Sequence, residues 1–129
     1  MKPLSRFIYM LIILLLYSCE YEAQISYKVS NDLSENIKVV FNDNGKDITI
    51  VVDSKKTATI AVHGQGLSSV DNYKESSTQL SEFIILDIYK KDTIKSKTDY
   101  MKTENWTWHE NDVHNAEYTT IVNNSDFEK

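Results

Sequence analysis

The chain has 129 residues, 26% charged and 41% hydrophobic, with a formal net charge of −5 and a single cysteine. That length builds one domain with an ordinary core, and one cysteine excludes an internal disulfide framework. The acidic balance excludes the electrostatic footprint of a nucleic-acid-binding protein. At the start of the chain, Lys2 and Arg6 flank the entry to an unbroken apolar run of eleven residues, 7–17. At ~1.5 Å per helical residue the run covers about 16 Å, half of a ~30 Å hydrocarbon core, so it reads as a signal h-region and not as a spanning helix. Small Ser18 stands directly before Cys19, where a cleavage site needs a narrow residue.

The segment Leu16-Tyr17-Ser18-Cys19 resembles the lipobox of bacterial lipoproteins. That resemblance implies cleavage before Cys19, a diacylglycerol on its sulfur, an acylated new amino terminus and attachment to the outer membrane. An ordinary secretory leader with an incidental cysteine is the competing reading, and an uncleaved signal anchor is a second. Loss of Lys2 and Arg6 with the leader leaves 12 basic against 19 acidic residues, a charge of −7 on residues 19–129. Glu20 and Glu22 then resemble, in part, the acidic cluster that follows the cysteine in surface-exported lipoproteins of the Bacteroidetes type. A solvated tether over residues 19–24 accounts for them equally.

Strand-like alternation begins at Ile25. Ile25, Tyr27 and Val29 alternate with Ser26, Lys28 and Ser30, the period-2 pattern of a half-buried strand. Residues 31–36 form a turn, and Ile37, Val39 and Phe41 give a second strand. Asn42-Asp43-Asn44-Gly45 is the strongest hairpin signal, because Asn and Gly accept φ > 0. Ile48, Ile50 and Val52 predict a third strand, with Val51 apolar on its other face as Val40 is on the second. After a turn at 53–56, Ala58, Ile60 and Val62 predict a fourth. A polar stretch follows from His63 to Ser81, longer than a usual loop. Residues 82–91 are the most apolar of the body, with both faces apolar at the start, which places this strand centrally in a sheet. Ile94 extends a hairpin. Residues 100–108 predict a strand with Trp106 and Trp108 on one face, and Tyr118, Thr120 and Val122 a last one. Residues 124–129 read as a tail anchored by Phe127.

About seven short strands joined by Asn/Asp/Gly/Ser turns, with no proline after Pro3, predict an all-β domain over residues 25–123. The simplest architecture is an antiparallel β-sandwich, immunoglobulin-like in size; a small up-and-down barrel is the alternative. The layout resembles small Bacteroidetes-type lipoproteins with a β-sandwich body. The likeness is carried by the lipobox, by Tyr27-Lys28-Val29-Ser30-Asn31, by a tryptophan in the last third and by a final Tyr118 strand ending near Asp126-Phe127. Asp92-Thr93-Ile94 is similar to the short O-glycosylation motif of exported proteins in that group, which would make Thr93 an acceptor.

Chemistry-bearing clusters are few. His109-Glu110-Asn111-Asp112-Val113-His114 gathers two imidazoles and two carboxylates, ligand types that zinc takes. The histidines are five apart, which suits neither one strand face nor one helix face, so a solvent-facing loop is the simpler account. A hydrolase would need His109, Asp112 and His114, or some pair of carboxylates, to converge in a cleft. Asn42 to Asp47 has the composition of a calcium loop without the EF-hand spacing, and a hairpin turn explains it. His63 reads as a strand-end residue. No metal, cofactor or catalytic residue is predicted. Trp106 and Trp108 are the binding candidates: exposed at i and i+2 they form a platform for a sugar ring or an apolar protein surface, and buried they are core. The expectation is a non-enzymatic, lipid-anchored envelope protein that binds a protein or glycan. The alternative is a periplasmic inhibitor or immunity-type lipoprotein that blocks a hydrolase with a loop from 63–81 or 109–115.

Overall fold

Alternating apolar residues build eight strands in the computed structural model, which describes residues 21–67, 83–112 and 115–128. In chain order these are β1 (Tyr21–Asn31), β2 (Ile37–Asp43), β3 (Lys46–Val52), β4 (Thr57–Leu67), β5 (Phe83–Lys90), β6 (Ile94–Lys95), β7 (Thr107–Glu110) and β8 (Asn115–Val122). One sheet has the order β4-β1-β8-β7 and the other β3-β2-β5-β6, and the two pack as a sandwich. Both sheets are open, so the barrel alternative is not adopted. Short 3-10 turns at Thr103–Asn105 and Asn124–Asp126 are the helical elements among the described residues.

The first sheet departs from the antiparallel expectation. β1 and β8 run parallel, from Gln24 beside Asn115 to Asn31 beside Val122. The first and last strands meet at the centre of this sheet, and alternation within a strand carries no information about the direction of its neighbour. On the outer face the Lys28 ammonium pairs with the Glu117 carboxylate across this parallel seam and holds that carboxyl below its usual range.

Two bulges decide which residues face the core. Tyr27 pairs with Ala61 while Lys28 pairs with Thr59, so Ile60 is the extra residue in β4. Ile60 and Ala61 are both buried, Val62 is 51% exposed and His63 turns inward. The expectation that Val62 lines the core is therefore overturned by a one-residue change of face. In β5, Phe83 and Leu86 are both buried and Ile85 is 48% exposed, because three residues there oppose two of β2. That bulge explains why the strand reads as apolar on both faces. β5 lies inside its sheet, between β2 and β6.

Tyr27 sits at the middle of the interior with 0% exposure. Its ring stacks on Tyr118 at 5.7 Å and meets Phe83 edge-on at 5.0 Å, Trp106 edge-on at 6.2 Å and His63 at 5.0 Å. Such aromatic pairs add about 0.5–1.5 kcal/mol each beyond the area they bury.

At one end of the sandwich a single buried amide joins the sheets. Asn31 is 1% exposed. Its Nδ2 donates to the carbonyls of Val52 (3.0 Å), Asp53 (3.1 Å) and Glu35 (2.8 Å), and its Oδ1 accepts from the Leu33 N–H at 3.0 Å. The end of β1, the 31–36 turn and the end of β3 are thereby fixed together. The final residues also belong to the body. Asn123 and Asp126 close a capping box, the Asp126 carbonyl accepts from Lys97 N–H at 2.8 Å, and Phe127 is buried under the Lys90 ammonium.

Replacing Asn31 with Ala leaves buried carbonyls unmatched and is expected to cost about 3 kcal/mol. Asn36→Ala, which removes only an exposed bond to the Ser54 N–H, is expected to cost less than about 1 kcal/mol. Urea unfolding of the two variants checks this, and equal midpoints would contradict it.

Candidate functional site

The strand registers give the sandwich two poles. At one lie the start of β1, the end of β4, the β2–β3 hairpin and the starts of β5 and β8. At the other lie the end of β1, the turns at 31–36, 53–56 and 91–93, and the 124–128 segment. About 33 Å of strand separates Tyr21 from Asn31 at ~3.3 Å per residue. Cys19 lies outside the described residues, but only Glu20 stands between it and β1. The predicted tether over 19–24 is thus shortened: β4 runs on to Leu67 and supplies backbone partners for Tyr21 to Gln24.

The tryptophan platform is not formed. Trp106 is 6% exposed and its Nε1 donates to the Tyr100 carbonyl at 2.7 Å. Trp108 is half-buried against Tyr118, 4.8 Å between ring centres, and its Nε1 donates to Glu110 Oε1 at 3.3 Å. The strand predicted over 100–108 shrinks to Thr107–Glu110, because residues 103–105 curl into a 3-10 turn that drops Trp106 into the interior. These indoles are core and core margin, in keeping with the tighter of the two readings of the Trp-x-Trp pair.

The other candidates are scattered. His109 lies opposite Glu117 in the register of β7 and β8, whereas Glu110 is on the other face with Trp108. Asp112 accepts from Asn115 Nδ2 at 3.0 and 2.9 Å. His114 lies outside the described residues, as does most of the predicted loop at 63–81. Asn42 to Asp47 is a hairpin: Asn44 and Gly45 take φ of 50° and 78°, and Asn42 donates to Asp47 Oδ1 at 2.7 Å. His63 is not a strand-end residue. It lies within β4, against Tyr27 and Phe83, with Nε2 2.9 Å from Asp43 Oδ1. Among the described residues no three His, Cys, Asp or Glu side chains gather as a metal centre would need.

A shallow cleft lies at the pole opposite the start of β1. Glu35, Asn36, Ile37, Lys38, Val51, Lys91 and Asp92 line this cleft of about 310 Å³. Its lining is mostly polar, and Val51, 59% exposed, supplies its exposed apolar surface on the floor. Its wall is a turn in which Lys91 and Asp92 both take positive φ, 50° and 61°. The tight β5–β6 hairpin requires that conformation, as the β2–β3 hairpin does at Asn44-Gly45. Lys38 contacts the turn: its Nζ donates to the Asp92 carbonyl at 2.9 Å and lies 3.8 Å from Asp92 Oδ1 and 5.2 Å from the Tyr89 ring centre. Thr93, the predicted O-glycan acceptor, is exposed on the same turn and its hydroxyl donates to the Lys91 carbonyl at 3.2 Å. Sequence reading missed the cleft. Its one visible signal is Val51, an apolar residue on the outward face of β3. The cleft offers charge of both signs beside the exposed side chain of Val51, and so suits binding of a small surface feature.

No family model matches the chain, and no curated protein or solved structure is similar to it.

The segment behind the cleft depends on Tyr100, whose hydroxyl lies 3.0 Å from Ser96 Oγ. Burial pushes this phenol from 10.0 up to about 12. The folded state therefore holds a proton that the unfolded chain releases, so stability is full below pH 10 and falls as pH rises toward 12. Tyr100→Phe is expected to flatten that alkaline decline, and phenolate absorbance of the folded protein is expected to show one tyrosine titrating late. Parallel stability–pH curves for the two proteins would contradict this.

Proposed function

We propose that the chain is a lipid-anchored, non-enzymatic protein of the bacterial outer membrane that presents its distal cleft to a protein or glycan partner. One observation carries this reading: the cleft lies at the pole opposite Cys19, the expected point of attachment. With Glu20 alone between the acylated cysteine and β1, the sandwich stands on its near pole and the cleft faces outward. The charge of −7 on the processed chain holds the body off an anionic bilayer. The exposed, held turn at 91–93 supports a second reading, in which the turn inserts into a hydrolase and the protein acts as an inhibitor or immunity-type lipoprotein. Thr93 on that turn is accessible to O-glycosylation.

Cys19→Ser is expected to abolish lipid attachment and shift the protein from membrane to soluble fractions with its β-rich circular dichroism unchanged. Retention by membranes in that variant would refute the anchor. Shaving of intact cells with protease separates the two readings: loss of the domain places it on the outer surface, and protection favours the periplasmic inhibitor. Val51→Asp combined with Lys91→Glu is expected to keep anchoring and fold and to weaken partner binding at least about tenfold, or ~1.4 kcal/mol.

A further inference from the structure

A sheet edge carries backbone groups without partners, and folds usually blunt it by shortness, bulges or charge. Three of the four edges here are blunted: β6 has two residues, β7 has four, and β4 carries the bulge at Ile60. The fourth is not. β3 has seven residues in unbroken register with β2, no proline, and β-branched residues at every position from Ile48 to Val52. Among the described residues no strand lies on its outer side.

The Asn44-Gly45 turn fixes which groups are free. In a two-residue hairpin the flanking residues exchange both hydrogen bonds, and every second pair does so thereafter. Ile48, Ile50 and Val52 therefore aim their N–H and C=O groups at β2. Asp47, Thr49 and Val51 aim theirs outward.

We propose that β3 pairs edge to edge with β3 of a second copy, antiparallel about a two-fold axis at Thr49. The order of side chains singles out this occupant. A two-fold contact must be self-complementary, and Thr49 is the central residue of β3, flanked by Ile48 and Ile50. Full overlap sets Thr49 opposite Thr49, Asp47 opposite Val51 and Ile48 opposite Ile50. Every outward N–H and C=O then meets a partner, and the half-buried Ile48 and Ile50 at the sandwich margin cover each other across the seam. Uncharged residues fill the centre, and Asp47 is already engaged by Asn42. The axis reverses the second copy, so the two β1 N-termini lie at opposite poles. Copies that face one another make this pair, and copies standing side by side on one surface do not. The pairing does not depend on the anchor, and Val51 is the one residue of β3 that it shares with the cleft.

The test uses the full-length chain with Cys19→Ser in mild detergent, so that an introduced thiol stands alone. Sedimentation is expected to show a concentration-dependent species of twice the monomer mass, strengthened by added salt, because screening weakens the repulsion between acidic copies. Thr49→Cys is expected to give a disulfide-linked dimer on mild oxidation faster than Thr57→Cys, which lies exposed on the β4 edge. Thr49→Pro removes an outward N–H and no bond to β2, and Thr49→Lys sets like charges on the axis; both are expected to abolish the dimer. A monomer at every concentration, crosslinking of Thr49→Cys no faster than Thr57→Cys, or a dimer that survives both Thr49→Pro and Thr49→Lys would each overturn the proposal.

Discussion

The Asn31 amide is the constraint on which the distal half of the molecule depends. Regular hydrogen-bond ladders tie strands within a sheet, whereas two facing sheets cohere mainly by apolar contact, with side-chain bonds such as those of Asn31 and of His63 to Asp43 between them. Where the chain crosses from one to the other it leaves backbone carbonyls inside, and an unmatched buried carbonyl is costly. Asn31 meets three of them with one side chain, from Glu35, Val52 and Asp53. The same contacts set where the 31–36 turn stands relative to the end of β3. Those two segments supply Glu35, Asn36 and Val51 to the cleft, so an interior amide determines the spacing of a surface feature. Only an amide serves here: a carboxylate lacks the donors, and an aliphatic residue of equal size leaves the carbonyls unmet.

Aromatic residues do the complementary work at the centre. With no disulfide available to the described domain, cohesion comes from packing, and Tyr27, Tyr118, Phe83 and Trp106 supply large buried rings in one contiguous group. Trp106 combines that role with a directed bond to the Tyr100 carbonyl, which pins the 96–106 crossover to the interior. An indole so used is withdrawn from recognition. The proposed recognition then rests on the turns, where Lys38 contacts the 91–92 turn through the Asp92 carbonyl.

The sandwich was legible because its strands alternate cleanly. Ile25, Tyr27 and Val29 face in, as do Ile37, Val39 and Phe41, and the Asn44-Gly45 turn announces its hairpin. Val62 was misread because a bulge is a property of two paired strands, and nothing in Thr59-Ile60-Ala61-Val62 marks Ile60 as the extra residue. The parallel β1–β8 seam escaped for the same reason: neighbour and direction are set by the whole topology. Trp106 and Trp108 were correctly recognised as residues with two possible roles, and only the 3-10 turn before them decides for the interior. The cleft is assembled from three segments distant in sequence, 35–38, Val51 and 91–92, so no local pattern encodes it.

These features separate the surfaces by job. The near pole leads to Cys19, the far pole carries the cleft, and the flank carries the one strand edge that, among the described residues, has no protective device. Selection for stability alone gives no reason to leave β3 open when β4, β6 and β7 are each blunted. The positive φ of Lys91 and Asp92 is what the tight β5–β6 hairpin requires, as at Asn44-Gly45 in the β2–β3 hairpin. The open edge and the cleft both lie on the second sheet, and Val51 belongs to both, as an edge residue of β3 and as part of the cleft lining. A strand added to β3 therefore lies beside that lining. The proposed edge pairing and the proposed binding at the cleft meet at this one residue, so a substitution at Val51 is expected to affect both.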